Sequence, residues 1–251
     1  MEIKEILKRK KEIAIVILVI LIMIVIAIIS GNNETEIIPF QITNITITSN
    51  ANANSNNSEP SKKWNLNIYQ NNDIYIEFAG VQDSEKISKK NSRIKEIYVE
   101  NFTNSQGPIL GSSISMYKLS DDENKLFEFN DTYRFENKLN FEVVEKDASP
   151  YKKQVNKNNG QICFSVVNNN IKNIEISDEE VKFDGTLINI AQIDANEIVF
   201  TESFDIVIIT EANNKYVAKV SLVLPCADIT GGFGLNENVD VSNIKFEYIE
   251  E

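Results

Sequence analysis

Apolar and polar positions follow three different patterns along this chain. The first is continuous: Ile13 to Ile29, "IAIVILVILIMIVIAII", contains no polar side chain. As a helix these seventeen residues would span about 25 Å, close to the hydrocarbon thickness of a bilayer. A helix in a soluble core normally keeps a polar stripe, and this run has none. Lys8, Arg9, Lys10 and Lys11 precede it. Basic residues stay on the cytoplasmic side, so the spacing predicts an N-terminus inside and a C-terminal part outside. A cleaved signal peptide shares this charge order. Its apolar core is shorter, however, and ends in a small-x-small site, of which Ile28 and Ser30 are a poor version. A retained signal-anchor over 13–29 is therefore preferred, after a basic tail over 1–12.

The second pattern is polar. Residues 30–63 include "SNANANSNNSEPSKK", small and hydrophilic, and read as an Asn/Ser-rich stalk or linker. Within it "IIPFQITNITIT" alternates, as a docked strand or an extended segment would.

The third pattern begins at Trp64 and has period two. Ile74, Ile76 and Phe78 fall on one face, as do Leu139, Phe141 and Val143. So do Ile162, Phe164 and Val166, the series Tyr216, Ala218, Val220, Leu222 and Leu224, and the series Ile244, Phe246 and Tyr248. Alternation of Ile, Val, Phe and Tyr marks half-buried strands. "EANNK" links "FDIVIIT" to "KYVAKVSLVLP" as a hairpin, and "FDIVIIT" reads as a mid-sheet strand covered on both faces. Nine or ten strands with turns every 8–15 residues predict an all-β chain. Residues 64–251 are expected to form an antiparallel β-sandwich. The helical signal is weak: one short helix at 83–92, and one turn after "ISDEE". The polar stretch 145–161 reads either as a divide between two small domains or as a long surface loop, with one domain favoured.

Charge and composition narrow the chemistry. The 251 residues carry a net charge of −12. Residues 1–12 hold five basic and three acidic side chains, so the remainder carries −14. Such a domain is a poor match for nucleic acid, which is bound by neutralising phosphates. There is no histidine, which removes Ser-His-Asp triads, Cys-His pairs and His-based metal sites. Cys163 and Cys226 are expected as buried free thiols, with a bridge between them as the alternative.

The remaining motifs are modest. Acidic clusters occur at 120–124, 177–185 and 236–240. Asp178, Glu179, Glu180 and Asp184 supply the oxygen ligands calcium prefers, so calcium is the one cofactor considered. Solvated loops on an acidic protein are the simpler reading. "GGFG" at 231–234 lacks the strand, helix and Lys-Ser/Thr pair of a phosphate loop and reads as a flexible loop. Lys86, Lys89, Lys90, Arg93 and Lys95 form a basic run.

The function expected is a non-enzymatic binding or scaffold module of the cell envelope, anchored in the bilayer through residues 13–29. Its partner is expected to be another envelope or surface protein. A calcium- or glycan-binding surface domain is the alternative. A carboxylate-dependent hydrolase ranks third, because no motif singles out one of the 34 acidic residues after the anchor.

Overall fold

A computed structural model of the chain describes residues 37–56, 63–81, 87–111, 113–118, 138–149, 154–177, 186–225, 229–230, 233–236 and 239–250. The expected anchor at 13–29 lies outside the described residues. Among the described residues no helix is long and apolar enough to cross a membrane. Residues 38–251 form one compact unit.

The described part is all-β, built on two sheets. The first contains β1 (Phe40–Asn56), β2 (Lys63–Gly80), β4 (Ser113–Lys118), β7 (Asn159–Ser177) and β10 (Phe233–Asn236), in the order β10-β1-β2-β7-β4. The second contains β3 (Ile94–Gln106), β5 (Lys138–Val144), β6 (Gln154–Asn156), β8 (Phe200–Thr210), β9 (Lys215–Leu224) and β11 (Phe246–Ile249), in the order β11-β9-β8-β3-β5-β6. Every pairing is antiparallel except β5 with β6. A single helical turn, α1 (Leu187–Ile190), and a 3-10 turn capped by Asp194 precede β8.

Both sheets contribute to one apolar core. Ile45, Ile74, Ile76, Ile162 and Phe164 come from the first; Ile97, Val99, Phe204, Ile206, Ile208 and Tyr216 come from the second. Rings from the two sheets meet within it. Phe164 stands edge-on to Phe204 at 5.2 Å, and Phe40 to Tyr216 at 6.4 Å. Such edge-to-face pairs add to the gain from area burial. The alternating positions read from the sequence account for most of this core. Ile74, Ile76, Phe78, Leu139, Phe141, Ile162, Phe164 and Val166 are buried, as is the whole series Tyr216 to Leu224 at every second residue. Tyr248, at the end of β11, is 36% exposed. A second apolar cluster lies beyond the first and includes Leu66, Ile68, Leu187, Ile188 and Ile198.

Three expectations change. The span 30–63 read as a stalk contains β1, an interior strand of the first sheet. Its ladder with β2 runs from Phe40 opposite Gly80 to Asn56 opposite Asn65. "SNANAN" joins a sheet because its backbone pairs with β2 throughout and, at Ser49 and Asn50, with β10 as well, while Ala51 is small enough to be buried. Second, Ile87–Arg93 form turns rather than the end of a helix; the rest of the expected helix, 83–86, lies outside the described residues. Asn91 fixes that turn. Its side-chain oxygen accepts from Thr210, Asn214 and Tyr216, and its amide donates to the Tyr216 hydroxyl. Third, the surface loop at 145–161 carries β6, which adds three rungs to β5.

The hairpin at "EANNK" is present, with Asn213 at φ 66°, a conformation Asn tolerates. "FDIVIIT" lies within β8, between β3 and β9, with Val207 and Ile208 both fully buried on opposite faces.

Candidate functional site

Core-facing residues of β2 have even numbers, so Asn71, Asp73 and Tyr75 point to the outer face of the first sheet. The register then sets rows across that face. Leu235, Thr48, Asp73 and Ser165 form one row; Phe233, Asn50, Asn71 and Val167 form the next. Side chains facing each other across neighbouring strands are close enough to bond directly.

They bond in a continuous chain. Asn52 Nδ2 donates to Asn50 Oδ1 at 3.0 Å and to Asn71 Oδ1 at 2.7 Å. Asn71 Nδ2 donates to Asp73 Oδ1 at 3.3 Å, and Ser165 Oγ donates to the same oxygen at 2.7 Å. The Thr48 side chain also hydrogen-bonds Asp73. Burial raises the Asp73 carboxyl above its ordinary value, and the bonds from Ser165, Asn71 and Thr48 oppose that rise. Cys163 lies beside it, fully buried and free. Burial first, and the Asp73 charge second, push its thiol far up, so it is no nucleophile at neutral pH.

This chain runs from a closed side to an open one. Asp73, Asn71, Ser165 and Val167 are buried, whereas Thr46, Thr48, Asn50 and Asn52 are half-exposed. Beyond them, on the edge strand β10, Phe233 is 57% and Leu235 43% exposed. Phe233 belongs to the "GGFG" stretch read as a flexible loop. Its ladder with β1, Asn50 opposite Phe233 and Thr48 opposite Leu235, makes it a strand.

The core side of the same strands carries a polar band. Asn72 Oδ1 accepts from Ser49 Oγ at 2.7 Å and from Gln70 Nε2 at 2.8 Å, and Asn72 Nδ2 donates to the Val166 carbonyl. Asn168 Nδ2 donates to the Leu110 carbonyl, and a Cβ on Gly111 would strike that amide. Glu202 sits between Phe200 and Phe204 on the core side of β8, and its pKa is raised to about 7 by burial. Among the described residues, the buried side-chain atoms left without a hydrogen bond are Gln70 Oε1, Asn168 Oδ1 and Glu202 Oε2. All three are acceptors, so a proton held on Glu202 relieves part of the deficit.

The proposed calcium ligands Asp178, Glu179, Glu180 and Asp184 lie outside the described residues, as do residues 120–124 and Cys226. Among the described residues no group of three or more His, Cys, Asp or Glu is arranged to hold a metal. Asp240, in the third acidic cluster, accepts from the Ser242 backbone N–H. The basic run divides. Arg93 pairs with Glu145 and Glu211, and Lys157 pairs with the same two carboxylates, making a four-charge cluster. Lys95 bonds Asn213, whereas Lys89 and Lys90 are exposed. Trp64 lies half-buried against the second apolar cluster, at the start of β2.

No family model, curated protein or solved structure matches this chain.

The residues of the outer face were not singled out from the sequence. One signal was available: "QNND", Gln70 to Asp73, interrupts an alternating strand with four consecutive polar residues. Burying such a run requires hydrogen-bond partners, which come from β1, from β7 and from within the run itself, with Gln70 Oε1 left over.

Proposed function

We propose that this protein is a binding module: a β-sandwich held outside the cytoplasm on a signal-anchor at 13–29, presenting the outer face of its first sheet. One observation carries the reading. An exposed apolar pair, Phe233 and Leu235, lies beside the half-exposed row Thr46, Thr48, Asn50 and Asn52, whose amides are locked to a buried carboxylate. Side chains fixed before a ligand arrives lose little entropy on binding. Apolar contact beside a few oriented polar groups is the usual make-up of a recognition site. The strand β10, at the edge of the first sheet, borders the same face.

The basic residues ahead of Ile13 support the outward orientation of this domain. The test is photo-cross-linking of the full-length chain in its native cells. A photoreactive residue replaces Phe233 in one variant and Ser221, on the outer face of the second sheet, in another. Adducts formed at 233 and absent at 221 are expected. No adduct at 233 overturns the reading.

A further inference from the structure

The open part of the outer face has an unusual chemical character. The chain is 25% charged, yet Thr46, Thr48, Asn50, Asn52, Phe233 and Leu235 include no charged residue. The nearest carboxylate in these rows, Asp73, is buried and accepts hydrogen bonds from its neighbours. Among the described residues the nearest exposed charge on this face is Glu77, opposite Asn44, so these six positions offer a partner no ion pair.

The hydrogen-bonding capacity of the row is only partly used. Asn52 spends its amide hydrogens on Asn50 and Asn71, which leaves its own Oδ1 as an acceptor. Asn50 Oδ1 accepts from Asn52, which leaves Asn50 Nδ2 as a donor pair. Thr46 Oγ1 accepts from Asn44 and keeps its own proton to give. Donors and acceptors thus alternate at half-exposed positions. Outward side chains on one strand recur about every 6.8 Å, and adjacent strands lie about 4.8 Å apart. A ligand rich in hydroxyl groups, each both donor and acceptor, matches that array. Phe233, one strand over from Asn50, offers a ring face to the C–H surface that a sugar presents on its other side.

We propose that the face formed by Asn50, Asn52, Thr48 and Phe233 binds a neutral polysaccharide, its hydroxyls on the amide row and one sugar ring on Phe233. This rests on the binding-module reading and names its ligand class. A protein partner is the competing occupant, and the absence of charge at these positions argues for the glycan.

The experiment uses the full-length chain in detergent micelles and a panel of neutral polymers: α-glucan, β-glucan, mannan and galactan. A sulfated glycan serves as the anionic control. Binding to at least one neutral polymer is expected, and it should persist in salt of about 0.5 M, where charge-driven binding is screened. Asn50→Asp and Phe233→Ala should each weaken it at least about tenfold, while Ser221→Ala leaves it unchanged. Unaltered far-UV circular dichroism and melting temperature in both variants separate loss of the site from loss of the fold. Binding to no neutral polymer, with a protein adduct at position 233 in cells, overturns the glycan and leaves the module standing. Binding to the sulfated glycan alone also overturns it. Neither a polymer nor any adduct overturns both.

Discussion

The two sheets share a core but differ in what they turn outward. The outer side of the second sheet alternates charges: Glu100, Lys138, Glu142, Asp205 and Lys219 all lie on it. Their contacts are local. Lys138 sits 3.5 Å above the Tyr98 ring, Gln154 donates to Glu142, and Asn101 donates to Asp205. Groups like these stay hydrated and are replaced at little cost. The outer side of the first sheet is built from amides and hydroxyls linked through a buried carboxylate across β1, β2 and β7. There each group depends on the next, and removing one strands its partners. The first sheet has exposed charges too, at Glu77 and in the Lys63–Glu175 pair, but the stretch from Thr46 to Asn52 is organised by amides and hydroxyls.

The largest expected effect compares one carboxylate from each face. Asp73→Ala strands the buried Ser165 and Asn71 and the half-exposed Thr48, and should cost about 3 kcal/mol in urea unfolding. Asp205→Ala should cost less than about 0.5 kcal/mol. Equal losses would erase the distinction between the faces.

A second test turns on Glu202, on the core side of the second sheet. Its folded pKa is about 7, against an ordinary 4.5. Between those values the unfolded chain has released the proton and the folded chain still holds it. Stability therefore falls as pH rises from 4.5 to 7 and levels off above. Glu202→Gln removes the charge and should match the parent at pH 4, then exceed it by about 2 kcal/mol at pH 8. A constant difference at both pH values would show that Glu202 is charged in the fold. The smallest effect concerns the open surface: Phe233→Lys and Ser221→Lys should each shift stability by less than about 0.5 kcal/mol. Only the first should abolish adducts formed from a photoreactive residue at Leu235.

The strands were legible wherever large apolar side chains alternated with polar ones. Leu139, Phe141, Ile162, Phe164 and the series from Tyr216 to Leu224 declared both their period and their buried face. β1 was harder to read beyond Ile47. Asn and Ala alternate there, and the inward Ala51 is too small to produce an apolar signal, although its backbone pairs with Gln70 of β2. The site itself was not legible. Asn52 and Asn71 are nineteen residues apart, Asp73 and Ser165 ninety-two. Apart from the run "QNND" at 70–73, nothing local marks amides that meet through strand register. The expected metal ligands Asp178, Glu179, Glu180 and Asp184, conspicuous because they are nearly adjacent along the chain, lie outside the described residues.

The long ladder of β1 has a mechanical consequence. Ile38 precedes one end of this strand, and Asn50 and Asn52 lie toward the other. Tension applied between Ile38 and a ligand held at Asn50 would run along the strand axis. That load passes through the covalent backbone of β1 between the two points, while the rungs to β2 and β10 hold the strand in register without carrying it. The strand that carries the amide row is thus also the one best placed to resist a pull on it.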